Sequence, residues 1–154
     1  MHIAVIDGPN LNLLGVREPE RYGTATLEQV RTAVRARAAA LGVGVSFVQS
    51  NHEGALVDAV QGLRGAADGA LVNAAAYTHT SLALRDAFLA VGTPFVEVHL
   101  TNVFAREEAR RRSLLADLAV GVVAGFGADS YILALDALTG WLRRRDGAAG
   151  VVRV

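Results

Sequence analysis

Short runs of aliphatic and β-branched residues alternate along the chain with longer segments in which apolar residues recur every three or four positions. That alternation predicts βαβ units, about five of them, around a parallel sheet. The first strand is Ile3-Ala4-Val5-Ile6, apolar throughout as expected of a strand covered on both faces. After it, residues 8–23 form a Gly-, Pro- and Asn-rich stretch. A connection of that length, well beyond the ~2–6 residues usual between strand and helix, is the kind that serves as a lid or binding loop. Thr26 and Gln29 then make a capping-box pattern, Leu27, Val30, Val34, Ala38 and Leu41 supply a helical stripe, and Gly42 ends it.

The remaining units read in the same way. Val43 to Val48 is a strand, followed by a helix that Ser50 and Glu53 are placed to cap and that buries Leu56, Val57, Val60 and Leu63. The strand Gly69 to Val72 leads into Asn73, after which Thr78 or Thr80 is expected to cap a helix carrying Leu82, Leu84, Ala87 and Phe88. A fourth strand from Pro94 to Val98 delivers Glu97 and His99 to its far end, and Ala105 to Arg112 reads as a short charged helix. A last strand, Val120 to Val123, precedes a helix from about Tyr131 to Arg144. No repeat or linker divides the chain, so we expect one doubly wound α/β domain over residues 1–146 and a frayed tail over residues 147–154.

Composition sharpens this picture. Hydrophobic residues make up 52% of the chain and the mean hydropathy is +0.32, as a buried sheet would require. Charged residues interrupt every apolar stretch before the roughly 18–20 residues of a membrane span, and the N-terminus lacks the layout of a secretory signal; a cytoplasmic protein is expected. The formal charge is +0 and the arginines are scattered apart from residues 110–112 and 143–145, which gives no support to nucleic-acid binding. Cysteine is absent, and all 15 basic residues are arginine. Thiolate nucleophiles, Cys-ligated metals and Schiff-base or phosphate-binding lysines are thereby excluded. The four histidines stand apart, so no metal site and no cofactor is expected.

In open α/β sheets ligands bind beyond the carboxyl ends of the strands, where the strand order reverses. Asp7-Gly8-Pro9-Asn10, Asn73 and His99 all stand at strand ends, and Arg17 and Tyr22 lie in the long first loop. Taken singly, an Asn after a strand is often a turn residue, a Tyr a packing residue and a strand-end His a structural one. Their convergence on one rim favours a site. The dinucleotide pattern is incomplete at Gly125-Phe126-Gly127, His52-Glu53 lacks a second zinc-binding His, and there is no Gly-x-Ser-x-Gly elbow.

Eight ordered blocks carry a more specific signal. They begin at Asp7-Gly8-Pro9-Asn10-Leu11-Asn12-Leu13-Leu14-Gly15, Arg17-Glu18-Pro19, Tyr22-Gly23 and Gln49-Ser50-Asn51-His52-Glu53-Gly54. Asn73 to Ser81, Ala83 to Ala87, Glu97-Val98-His99-Leu100 and Ala105 to Glu108 complete them. Together they resemble the type II 3-dehydroquinate dehydratases over nearly the whole chain. The resemblance implies a flavodoxin-like, doubly wound, five-stranded parallel sheet with helices on both faces. It also implies a homo-dodecamer built as a tetramer of trimers, and elimination of water from 3-dehydroquinate to 3-dehydroshikimate through an enolate.

By position, Tyr22 resembles the general base, with Arg17 and Arg106 as the cations that keep its phenol ionised. Against an ordinary phenol pKa near 10, that ionisation at neutrality takes about 4 kcal/mol. Asn10 resembles the residue that stabilises the enolate, and His99 the acid that protonates the departing hydroxyl, oriented by Glu97. Asn73, His79, Leu100, Thr101 and Arg110 match substrate-binding positions, and Asp86 one that reaches in from a neighbouring subunit. The chain departs from the family pattern at Asp7, where Asn is usual, at Phe104, where His is common, and at Thr101, which replaces Ser. A ligand-binding relative with little activity, a non-catalytic flavodoxin-like module, and use of the same reaction in quinate catabolism remain as alternatives; a phosphoacceptor receiver would need a lysine that the chain lacks.

Overall fold

Residues 1–16 and 24–149 are described by the computed structural model. Five strands lie in the order β2-β1-β3-β4-β5, all parallel: β1 His2–Asp7, β2 Gly44–Gln49, β3 Gly69–Asn73, β4 Phe95–His99 and β5 Gly121–Ala124. The order reverses at β1 and β3, which places the ends of these two strands side by side, Asp7 opposite Asn73. This is the flavodoxin-like winding that the resemblance implies.

Because side chains alternate across a strand, each central strand feeds two cores. Ile3 and Val5 of β1, Leu71 of β3, and Val96 and Val98 of β4 pack under α1 (Leu27–Leu41) and α5 (Asp129–Ala149). Ala4, Ile6, Ala70, Val72 and Phe95 pack under α2 (Glu53–Gln61) and α4 (Leu82–Val91). The same alternation sorts the polar ends. Asp7 and Asn73 continue the α1/α5 face, where Tyr131 meets them. Glu97 and His99 continue the opposite one, where Thr78 and Ser113 meet Glu97. At the turn after β1, Gly8 is required by close approach, since a Cβ there would overlap the Ala74 carbonyl.

The capping box of α1 forms as its sequence requires. Thr26 Oγ1 accepts from the Gln29 N–H, Gln29 Oε1 accepts from the Thr26 N–H, and Gly42 closes the helix in the left-handed region at φ 68°.

Four local expectations need correction. Ser50 does not cap α2: its hydroxyl accepts from the His52 N–H, and the helix begins at Glu53 without a side-chain cap. Neither Thr78 nor Thr80 caps α4, because Thr78 is committed to Glu97 within the short helix α3 (Tyr77–Thr80) while Thr80 donates to the Ala76 carbonyl; Ser81 is the cap, accepting from the Leu84 N–H. Residues 105–112 form no α-helix but parts of two single 3-10 turns, Val103–Ala105 and Glu108–Arg110. With alanine as its only apolar residue type, that segment has no stripe to bury, which is what most short helices depend on. Finally, α5 passes Arg144 and position 146 and runs through Gly147 to Ala149, its ladder continuing after the buried stripe ends at Leu142.

Candidate active site

A cavity of about 150 Å³ opens at the carboxyl ends of β1, β3 and β4. Asn10, Asn73, His79, His99, Leu100, Arg106 and Arg110 line it, together with Pro9, Leu11, Leu14, Ala75 and Ala76. Seven residues expected at the site from sequence are thus brought to one hollow. Glu97 stands behind His99, and Thr101 beside Arg106. Asp86 is exposed on α4 and does not line this cavity. Arg17 and Tyr22, with Glu18 and Pro19 of the expected lid, lie outside the described residues.

His99 and Glu97 form the centre of the arrangement. Both belong to β4, two residues apart, and therefore point to the same face. His99 Nε2 lies 2.8 Å from Glu97 Oε1, so the Nε2 proton is donated to the carboxylate and Nδ1 is the nitrogen left for the cavity. Glu97 is fully buried. Burial pushes its carboxyl upward, but hydrogen bonds from His99, Thr78 and Ser113 outweigh that and hold it below the ordinary glutamate range. Ser113 lies 2.9 Å from each carboxylate oxygen, and Thr78 donates to Oε1. A buried carboxylate so supplied stays ionised and fixes the imidazole in one tautomer.

The cationic side of the cavity is built by the turns after β4. Arg106 donates to the Thr101 hydroxyl, which ties its guanidinium to the end of the strand. Arg110 pairs with Glu107 one 3-10 turn earlier, at 3.2 Å. His79, at the end of α3, uses Nδ1 to donate to the Arg112 carbonyl at 2.7 Å and so presents Nε2 as the free ring nitrogen. Two guanidinium groups and a histidine in one hollow suit a small anion such as a carboxylate.

Across the cavity, Asn10 sits in the left-handed region at φ 66° and its N–H donates to Asn51 Oδ1. Gln49 Nε2 donates to that same oxygen and to the Gly8 carbonyl, so the first loop is braced from β2. Behind it Asn73 Nδ2 donates to the Tyr131 hydroxyl at 2.9 Å, and Tyr131 donates to Asp7 Oδ1 at 2.6 Å. Burial pushes the Asp7 carboxyl up to about 6, against the opposing pull of the Tyr131 hydrogen bond and of Arg31, whose guanidinium is 3.7 Å from Oδ2.

Thr78, Ser113, Tyr131 and Arg31 join the site without a signal for it in their local sequence. Thr78 and Tyr131 read as helix positions, and Ser113 follows an arginine run with no pattern around it. No group of three or more His, Asp or Glu able to hold a metal occurs among the described residues.

Fold and site together define a flavodoxin-like α/β enzyme equipped for proton transfer beside a bound anion. Residues 1–139 match the family model "Dehydroquinase class II". A 3-dehydroquinate dehydratase of Gemmatimonas aurantiaca is 53% identical over 152 residues, covering 97% of this chain and 100% of that protein. One of Prochlorococcus marinus is 52% identical over 144 residues, covering 94% and 99%. The crystal structure of the type II dehydroquinase from Butyrivibrio crossotus superposes with a TM-score of 0.87 at 41% identity, covering 90% of this chain and 97% of that one. The chain belongs to the class II dehydroquinase family, and its activity is that of a hydro-lyase on 3-dehydroquinate. Neither the weakly active ligand-binding relative nor the non-catalytic module is favoured by these matches.

Proposed function

We propose that one chain of acid–base groups around this cavity carries the dehydration. Tyr22 removes a proton from the carbon beside the ketone, its phenol kept ionised by Arg17 and Arg106. The resulting enolate is stabilised from Asn10 through an ordered water. His99, carrying a second proton on Nδ1, then gives that proton to the departing hydroxyl; the C–O bond breaks, the enolate electrons close the new double bond, and water and 3-dehydroshikimate leave. Asn73, His79, Arg110 and the Leu100–Thr101 backbone hold the substrate's carboxylate and hydroxyls, and Asp86 completes the site of a neighbouring subunit in a dodecamer built as a tetramer of trimers.

The observation that supports this reading best is the buried Glu97–His99 pair, with His99 on the wall of a cavity that also holds Arg106, Arg110 and His79. No helix among the described residues is long and apolar enough to cross a membrane. We place the enzyme in the cytoplasm, acting in the shikimate pathway as a single catalytic domain without cofactor. Tyr22→Phe is the test of the base: turnover followed by enone absorbance is lost while substrate binding, measured by calorimetry, is retained. Full turnover in that variant refutes the assignment.

A further inference from the structure

Asp7 lies on the sheet face opposite Glu97, is 0% exposed, and does not line the cavity. It nevertheless reaches the cavity through a directed chain of hydrogen bonds. An ionised carboxylate accepts only, so the single Tyr131 hydroxyl proton goes to Asp7 Oδ1 at 2.6 Å. The Tyr131 oxygen is then left to accept from Asn73 Nδ2 at 2.9 Å, and Asn73 Oδ1 faces the Ala75 N–H at 3.3 Å. Each step follows from the one before.

We propose that Asp7 is a positioning residue for the dehydration: through the Tyr131 hydroxyl it dictates which end of the Asn73 amide meets the substrate. With Asp7 ionised, Nδ2 points to Tyr131 and Oδ1 to Ala75, leaving one amide N–H and one carbonyl lone pair for the ligand. Asp7 takes its proton on Oδ1, because Oδ2 faces the Arg31 guanidinium 3.7 Å away, and it then donates to Tyr131, whose hydroxyl donates to Asn73. The amide must turn to accept, and this sets its NH2 against the Ala75 N–H, donor to donor. Ala75 cannot adapt freely, since its backbone is already held at φ 51°.

Among the described residues the charged or titratable groups that face Asp7 are Arg31 of α1 and Tyr131 of α5. The flanking strands β2 and β3 carry no charged residue. Arg31 is itself seated over the Phe47 ring, 5.5 Å from its centroid, so it approaches Oδ2 from one side without forming a hydrogen bond. The protonation state of Asp7 is therefore set by its burial, against which these two partners pull.

The inference rests on the reading of Asn73 as a substrate contact, and the experiment separates the two. KM and kcat are measured from about pH 5 to about pH 8 for wild type, Asp7→Asn, Asn73→Ala and the double variant. The expected result is that the ratio of wild-type to Asp7→Asn KM rises about threefold or more on acidification. The ratio of their kcat values stays level, and in the Asn73→Ala background the Asp7 substitution leaves KM unchanged at every pH. A KM ratio independent of pH, or an Asp7 effect undiminished without Asn73, overturns the proposal. If Asn73→Ala alone leaves KM untouched, it is the substrate-contact reading that fails. The chain itself is then read by infrared difference spectra against Asp7→Asn. The carbonyl band of protonated Asp7 grows in on acidification and moves in Tyr131→Phe, and a band that does not move overturns the chain.

Discussion

Ser113 Oγ stands 2.9 Å from both carboxylate oxygens of Glu97, and nothing in the run of arginines before it announces that role. The same oxygen accepts from the N–H groups of Leu115 and Ala116, so the hydroxyl is locked in place by backbone before it meets the carboxylate. The orientation of His99 thus depends on a residue 14 positions away in sequence, held by a turn.

Ser113→Ala removes one of the donors that hold the Glu97 carboxyl below the ordinary glutamate range. A group with a depressed folded-state pKa contributes stability that is present above its unfolded value and lost as the pH falls through the folded one. The variant should therefore lose stability at a higher pH than wild type on acidification. Its cost at neutral pH should be about 1–3 kcal/mol, the range for a lost donor to a buried charged acceptor. Denaturant melts at several pH values check both, and coincident acid limbs in the two proteins would argue against the role.

The opposite sign applies to Asp7, whose carboxyl is pushed up to about 6 by burial. Below the unfolded pKa both states are protonated and the group is neutral in the balance. As the pH rises from about 4 to about 6 the unfolded chain ionises first, and stability falls. Asp7→Asn should accordingly gain stability over wild type across that window, by up to about 3 kcal/mol once the pH is above 6. Melting curves of the two proteins at about pH 4 and about pH 7.5 measure the gap, and a gap of equal size at both refutes the burial cost.

Gly8→Ala should be among the most damaging small changes in the molecule. The added methyl meets the Ala74 carbonyl rather than a side chain that can rotate away. The ends of β1 and β3 must part, and the Gly8 N–H loses its 2.7 Å bond to the Asn73 carbonyl. Asn10 and Asn73 then drift relative to each other. We expect KM to rise and the melting temperature to fall together; unchanged values of both would show that the loop absorbs the methyl.

Much of this architecture is legible in the amino-acid sequence. The strands betray themselves as apolar runs because both faces are buried, and α1 carries its own start and stop in Thr26, Gln29 and Gly42. Asn10, His99 and Arg110 stand at strand ends or in the turns beyond, where the winding rule places ligands. What stayed hidden has physical causes. Thr78 looks like a cap because its hydroxyl is placed for one, until Glu97 takes it from the end of β4. Tyr131 looks like one more apolar helix residue, since only the sheet beneath α5 brings Asp7 and Asn73 to its hydroxyl. The segment 105–112 has helix-forming residues but no apolar stripe, and its shape is set by contacts such as Arg111 Nε to the Arg106 carbonyl at 2.6 Å.

The account turns on His99 as the proton donor to the leaving hydroxyl, so the most direct measurement is the steady-state rate of enone formation from 3-dehydroquinate by His99→Ala beside wild type. The assignment predicts a kcat lower by about 10²–10⁴-fold with KM changed little. A variant that turns over at the wild-type rate would contradict it.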